Sequence, residues 1–348
     1  MKTIRIENRE VGEGKPVFII AEVGVNHNGS LERAKKLIDA AKAAGADAVK
    51  FQMCDPDEMV SVDAPKAEYQ KKTVKGESHY DMLKRLYFGV DEHRTLKAYA
   101  KKKGIIFFST PFSISDARRL IALGIPVIKV GSSDTNNIPQ LRVIAASKLP
   151  IILSTGMSDL AEIQRSVKAI RKAGDDKIVV LQCTTQYPAE DKNINLRAMR
   201  VMREALQVPI GYSDHTSGIE VSLAAVALGA CVIEKHITLD RGLPGPDHFA
   251  SLEPAEFKAL VRGIRRVEKA LGLPRKVITR DEKVIARVAR KSIVAARPLA
   301  KGVRIKESDM AYKRPGTGLS PADADKLVGK SMRRAIAKDE QFSRSHIQ

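Results

Sequence analysis

The sequence predicts an α/β fold: a (β/α)8 barrel over residues 1–275, followed by a small β-rich module over residues 283–348. Three observations carry that expectation. Short apolar runs alternate with amphipathic helical stretches eight times, the order that builds a parallel sheet with crossover helices. Polar residues cluster where each apolar run ends, the edge at which such barrels carry their sites. From Asp281 the texture changes to strand-like runs at Lys291–Arg297, Val303–Ile305 and Lys330–Ala335 among Gly and Pro turns. A doubly wound open sheet is the alternative, but no glycine-rich dinucleotide turn follows the first apolar run.

Taken in order, the first 18 residues read as a small hairpin. Val17–Val23 is the first barrel strand, and Ser30 is placed to cap a helix over Leu31–Ala43. The second strand is Ala48–Met53. Residues 55–80 have mixed charge and no period, and a connection that long is commonly a functional lid. The next units pair helix Asp91–Lys103 with strand Ile105–Ser109, and helix Ser115–Leu123 with strand Val127–Val130. Helix Pro139–Ser147 precedes strand Ile151–Leu153, and helix Leu160–Ala173 precedes strand Ile178–Gln182. After helix Leu196–Ala205, strands Val208–Tyr212 and Ala230–Ile233 flank a helix within Gly218–Gly229, and helix Pro254–Leu271 closes the unit.

The net charge of +19 raises nucleic acid as a partner. Against it, the basic residues are spread along helices, and the chain is 5% aromatic with no Trp for base stacking. Anionic small substrates, or a surface rich in ion pairs, account for the charge as well. No apolar run is long enough to span a bilayer, and the N-terminus lacks the apolar core of a signal peptide, so no membrane partner and a cytoplasmic location are expected. Cys54, Cys183 and Cys231 form no metal or redox spacing and are expected to pack in the core.

Side chains alternate along a strand with period two. Ser213 and His215 therefore share one face, Glu234 and His236 another, on strands expected to be parallel neighbours. Two imidazoles converging there fit a catalytic divalent metal with open positions, without choosing which metal. Asp247 lies just beyond this pair. Lys50 and Gln52 share a face of the second strand, and Lys129 lies inside the fourth. A lysine in a barrel strand is costly unless paired. It serves either as a Schiff-base amine, as in an aldolase, or as a clamp on an anion. Two lysines with Ser132, Ser154 and Ser213 at strand ends favour the clamp. Glu22, Asp134 and Glu234 are the strand-end carboxylates, fit to position a ligand, act as general base, or pair with the lysines.

Several motifs together resemble the sialic acid synthase (N-acetylneuraminate synthase) family. They are Ala21–Gly29, Lys50-Phe51-Gln52, Ser109-Thr110-Pro111-Phe112, Cys183-Thr184 with Tyr187-Pro188, Gly211–Thr216, Ile233-Glu234-Lys235-His236 and Gly245-Pro246-Asp247-His248. Lys313–Pro321 resembles that family's antifreeze-like (SAF) domain. The resemblance implies a TIM barrel with an SAF domain, joined in a domain-swapped homodimer. It implies condensation of phosphoenolpyruvate with open-chain N-acetylmannosamine and water, giving N-acetylneuraminate and phosphate by C–O cleavage. It also implies a divalent metal held by His215 and His236, usually manganese, with magnesium or cobalt as alternatives.

Under the same resemblance Lys50, Lys129, Ser132, Ser154, Tyr187 and Ser213 hold phosphoenolpyruvate. Gln52, Thr110, Asp134 and Asp247 hold the sugar. Glu22 and Glu234 position water and hydroxyl groups, and Arg314 reaches the N-acyl group from the other subunit. The chain departs from the pattern at Thr185-Gln186, where many members carry Asn, and at Asp134, where some carry a longer Glu. A legionaminic acid synthase taking a 2,4-diacetamido-trideoxy hexose is the alternative within the family, and a phosphorylated sugar is also open.

Overall fold

The apolar runs close into a ring. In the computed structural model, which describes residues 3–348, β1 (Thr3–Ile6) and β2 (Arg9–Gly12) form the expected antiparallel hairpin. The barrel strands follow: β3 (Phe18–Gly24), β4 (Ala48–Met53), β5 (Ile106–Pro111), β6 (Ile128–Val130), β7 (Ile151–Ser154), β8 (Ile178–Cys183), β9 (Ile210–Asp214) and β10 (Val232–His236). Each pairs with the next in parallel, and β10 closes on β3 through Val232 opposite Phe18. The helices of this unit are α1 (Leu31–Ala44), α2 (Pro56–Met59), α3 (Glu68–Thr73), α4 (His79–Leu86), α5 (Val90–Lys103), α6 (Ile114–Leu123), α7 (Ile138–Ala146), α8 (Leu160–Lys172), α9 (Ala198–Leu206), α10 (Glu220–Ala227) and α11 (Pro254–Leu271). The chain divides into two compact units, one ending at Gly272 and one running from Leu273 to Gln348.

Two differences from the sequence expectation bear on function. Strands β9 and β10 run past Tyr212 and Ile233 to Asp214 and His236. The apolar pattern ends early because the last strand residues carry polar chemistry, yet Lys235 still pairs with Asp214 in the ladder. Residues 55–80 are also not a plain loop. They hold α2 and α3 and enter α4, whose N-terminus Ser78 caps by accepting from the Asp81 amide at 3.0 Å. Helices this short carry too few turns for a period to show in sequence.

The opposite end of the barrel accounts for part of the positive charge. Lys42 of α1 donates to the Gly104 carbonyl that ends α5 (2.7 Å), and Lys97 of α5 to the Gly124 carbonyl that ends α6 (2.8 Å). Lys148, after α7, reaches Gly174 O beyond α8 (2.8 Å), and Arg171 of α8 reaches Leu206 O of α9 (3.1 Å). Arg203 of α9 reaches Gly229 O beyond α10 (2.8 Å). Helix C-termini leave carbonyls unsatisfied and carry partial negative charge, so a cation there contributes about 0.3–1 kcal/mol.

His93, fully buried on α5, donates from Nδ1 to Gly89 O (2.8 Å) and accepts at Nε2 from Ser109 Oγ of β5 (3.0 Å). Burial pushes its pKa down to about 4, against the helix-start carbonyl and Glu92. Below about pH 6.5 the unfolded chain takes up a proton that the folded chain refuses. Stability present above that pH is therefore lost as pH falls towards 4, by roughly 3 kcal/mol at full titration. Urea midpoints measured from pH 7 to 4 should fall less steeply in His93→Gln than in the parent. Parallel slopes would remove His93 as the cause.

In the second unit, β11 (Ser292–Ala295) pairs antiparallel with β12 (Met310–Lys313) over a core that includes Ile293, Leu299, Ile305 and Phe342. The strands expected at Val303–Ile305 and Lys330–Ala335 are single bridges instead, Arg304 to Ser331 and Met332 to Ile347. Helix α12 (Arg280–Ala289), with Thr279 and Glu282 forming a capping box, stands where no element was expected.

Candidate active site

A cavity of about 270 Å3 lies at the C-terminal ends of the barrel strands, and every strand contributes to its wall or rim. Its floor is a cage of buried charge. Lys50 Nζ sits 2.7 Å from Glu22 Oε2 and 3.9 Å from Glu234 Oε1, and donates to Thr110 Oγ1 at 2.9 Å. Lys129 Nζ donates to Ser154 Oγ at 2.6 Å and lies 3.7 Å from Glu234 Oε1. Gln52 donates to Glu22 Oε1 (2.9 Å), and Ser213 donates to Glu234 Oε1 (3.2 Å). All four charged groups are 5% exposed or less.

Burial raises the pKa of Glu22 to about 7, with Lys50 opposing and Glu234 reinforcing the shift. Burial also pushes on Glu234, but Lys129, Lys50 and His215 outweigh it and hold that carboxyl below its ordinary range. Lys129 is lowered by burial against the pull of Glu234. The two carboxylates are thus driven apart, the arrangement expected where one exchanges a proton and the other stays charged.

Beside the cage stand the two histidines, with ring centroids 5.5 Å apart. His215 Nδ1 donates to Thr184 O at 2.8 Å, which makes Nε2 the nitrogen that accepts or binds a ligand when the ring is neutral. His236 Nδ1 is buried without a partner, as is Glu234 Oε2. Burial, then His215, hold His236 well below its ordinary pKa, so the ring is neutral. Among the described residues no group of three or more His, Cys, Asp or Glu side chains is arranged to hold a metal. Burial pushes the His215 pKa down, but Cys183 and the Thr184 carbonyl outweigh it and raise it above its ordinary value, so a cation taken by this ring would displace a proton. The pair, with His236 neutral, nonetheless fits a divalent cation whose other positions are open. Tyr187 packs on His215 at 4.1 Å between ring centroids. Asp247 closes this side, its carboxyl raised to about 6 by burial.

A third wall carries hydroxyl, thiol and amide groups close together. Ser132 Oγ accepts from the Gly156 amide at 3.0 Å and donates to Cys183 Sγ at 3.6 Å. A Cβ on Gly156 would stand 2.0 Å from Thr185 Oγ1, so only glycine lets that backbone come so close. The fourth wall is apolar. His79, Met82, Leu83 and Leu86 lie at helical spacing on one face of α4, and with Met59 and Phe112 they line the cavity. Tyr69 of α3 packs on Tyr187 at 5.0 Å.

Thirteen of the residues singled out in the sequence line this one cavity: Glu22, Lys50, Gln52, Thr110, Lys129, Ser132, Ser154, Tyr187, Ser213, His215, Glu234, His236 and Asp247. Asp134 is not among its lining residues; its carboxylate accepts from Ser133 Oγ (3.0 Å) and Asn137 Nδ2 (3.1 Å) at the start of α7. Arg314 belongs to the second unit and is exposed. Sequence reasoning missed Cys183, expected as plain core but lining the cavity 3.9 Å from His215 Nδ1. The alternation that located Ser213 and His215 would have found it, because Leu181 and Cys183 share a face of β8.

A family model described as the NeuB family matches residues 37–276, and an SAF domain model matches residues 290–348. The chain belongs to the NeuB family. It is 42% identical to an N,N'-diacetyllegionaminic acid synthase of Legionella pneumophila, over 98% of this chain and 99% of that one. It is 44% identical to the protein of the same name in Campylobacter jejuni, over 94% and 98%. Among solved structures, an N-acetylneuraminic acid synthetase from Leptospira borgpetersenii superposes with a TM-score of 0.72 at 36% identity, covering 82% of this chain and 95% of that one. This NeuB member therefore shares sequence along nearly its whole length with proteins named as N,N'-diacetyllegionaminic acid synthases.

Proposed function

We propose that this chain condenses phosphoenolpyruvate with the open-chain aldehyde of an N-acylated amino sugar, releasing phosphate and forming a nine-carbon 2-keto acid. What carries the reading is one cavity that joins a lysine–serine anion cradle to a pair of imidazoles. Lys129 with Ser154, and Lys50 with Thr110, bind the carboxylate and phosphate of phosphoenolpyruvate as charge-assisted donors. A divalent cation held by His215 and His236 would supply Lewis-acid polarisation of the sugar aldehyde. C3 of phosphoenolpyruvate attacks the aldehyde carbon, whose oxygen gains a proton. Water adds at C2 and gives up a proton, and phosphate then leaves with the C2–O bond. Glu22, half-protonated near pH 7, is the group poised to accept and return protons. Gln52 and Asp247 orient the sugar hydroxyls.

Two sugars suit this chemistry: N-acetylmannosamine and a 2,4-diacetamido-2,4,6-trideoxy hexose. The apolar wall favours the second. A methyl terminus packs on Met82, Leu83 and Phe112 without loss, whereas a hydroxyl there needs a partner, at about 1–3 kcal/mol if none is found. His79 Nδ1, buried without a partner on the same helix face, could serve a second acetamido group. The names of the two bacterial relatives point the same way.

The test is phosphate release from phosphoenolpyruvate with each sugar, and with N-acetylmannosamine 6-phosphate, in the presence of Mn2+. We expect the diacetamido sugar to give the highest kcat/KM and the phosphorylated sugar the lowest. Release with no aldose requirement would sink the condensation, and preference for the phosphorylated sugar would sink the sugar assignment. Borohydride should trap no adduct on Lys50 or Lys129.

A further inference from the structure

We infer that Asp214 and Lys235 are positioning residues whose buried network on the outer side of the barrel wall sets the places of His215 and His236 on the inner side. The inference rests on the proposed reading of the two imidazoles as holders of a cation. Both side chains are wholly buried, with Lys235 Nζ 2.9 Å from Asp214 Oδ2. Neither lines the cavity, although their neighbours Ser213, His215, Glu234 and His236 all do.

The β9–β10 ladder ends on the pair Lys235 and Asp214. His215 lies one residue beyond it, so no strand pairing with β10 holds its backbone. The network does. Lys235 Nζ donates to Thr216 O (2.6 Å), while Asp214 Oδ1 accepts from the Thr216 amide (2.8 Å) and hydroxyl (2.7 Å). Asp214 Oδ2 also accepts from Ser222 Oγ of α10 (2.6 Å). The residues on either side of His215 are therefore fastened to Lys235, which itself separates Glu234 from His236.

A buried ion pair is weak evidence for stability, because apolar residues of similar volume often stabilise as well or better. Fixing the relation of two elements is the better-attested use of such a pair, and side chains that orient ligands from behind typically change metal affinity 10- to 100-fold. The single variant Lys235→Met and the apolar double variant Asp214→Leu/Lys235→Met separate the two roles.

Titration of the metal-free full-length protein with Mn2+ by calorimetry or electron paramagnetic resonance, with melting temperatures alongside, reads both. Both variants should bind Mn2+ about tenfold or more weakly. Excess Mn2+ should recover most of kcat, and the KM for phosphoenolpyruvate, bound by the lysines of the cage, should change little. If the double variant folds and binds Mn2+ as the parent does, the pair is structural only and the inference fails. If Lys235→Met does not fold, the double variant gives the answer. If the parent itself binds no Mn2+, the cation reading fails and takes the inference with it, a distinct result because it appears in the unmodified protein.

Discussion

Lys129→Met is expected to lower kcat/KM for phosphoenolpyruvate by roughly a hundred- to a thousandfold while leaving a folded barrel. Methionine fills similar space on β6, so the loss is one of charge. Lys129 is 2% exposed and donates to Ser154 Oγ, with Glu234 the nearest carboxylate at 3.7 Å. In so dry a setting a cation facing the phosphate or carboxylate of the substrate acts far more strongly than in water. Glu234 loses one partner but keeps Lys50 at 3.9 Å and the Ser213 hydroxyl, so the melting temperature should drop without collapse. Steady-state phosphate release and circular dichroism melts check the two halves. A loss under tenfold would mean that the anion is held elsewhere.

The second large effect concerns the imidazoles. His236→Ala should cost roughly a thousandfold or more in kcat, comparable to removing a group that polarises the reacting carbonyl. Chelation of the parent should cost the same. If the two imidazoles hold one cation, the effects are not additive, and a chelator should leave His236→Ala unchanged. Full activity in the chelated parent, or a further large loss on chelating the variant, would separate His236 from the cation.

The cage at the floor was legible because its members break a rule. Lys50, Gln52 and Lys129 are polar residues inside apolar strands, and a barrel interior excludes them unless they serve a ligand or one another. The same logic found Glu22, Glu234, His215 and His236. It could not rank Asp134, whose carboxylate is taken up by Ser133 and Asn137 at a helix start, because strand-end position alone does not distinguish a ligand from a cap. The apolar wall was hidden for the opposite reason. Met82, Leu83 and Leu86 look like ordinary core, and only the fold of residues 55–88 turns them towards the cavity. Asp214 and Lys235 sit in recognisable motifs, but period two points them outward, and their network depends on Thr216 and Ser222 arriving from a loop and a helix. Closure of β10 on β3 joins residues more than 200 positions apart; alternation implied it, while the register came only with the packed chain.

The cations at the far rim also give the barrel seams of unequal strength. Each latch sits in one βα unit and its keeper in the next, at the joins of α1 with α5, α5 with α6, α7 with α8, α8 with α9 and α9 with α10. Among the described residues, no such latch crosses from α6 to α7 or from α10 to α11. A circular permutation or a split into two complementing fragments keeps every latch if it is cut at one of those two seams, and separates latch from keeper if cut at any of the five.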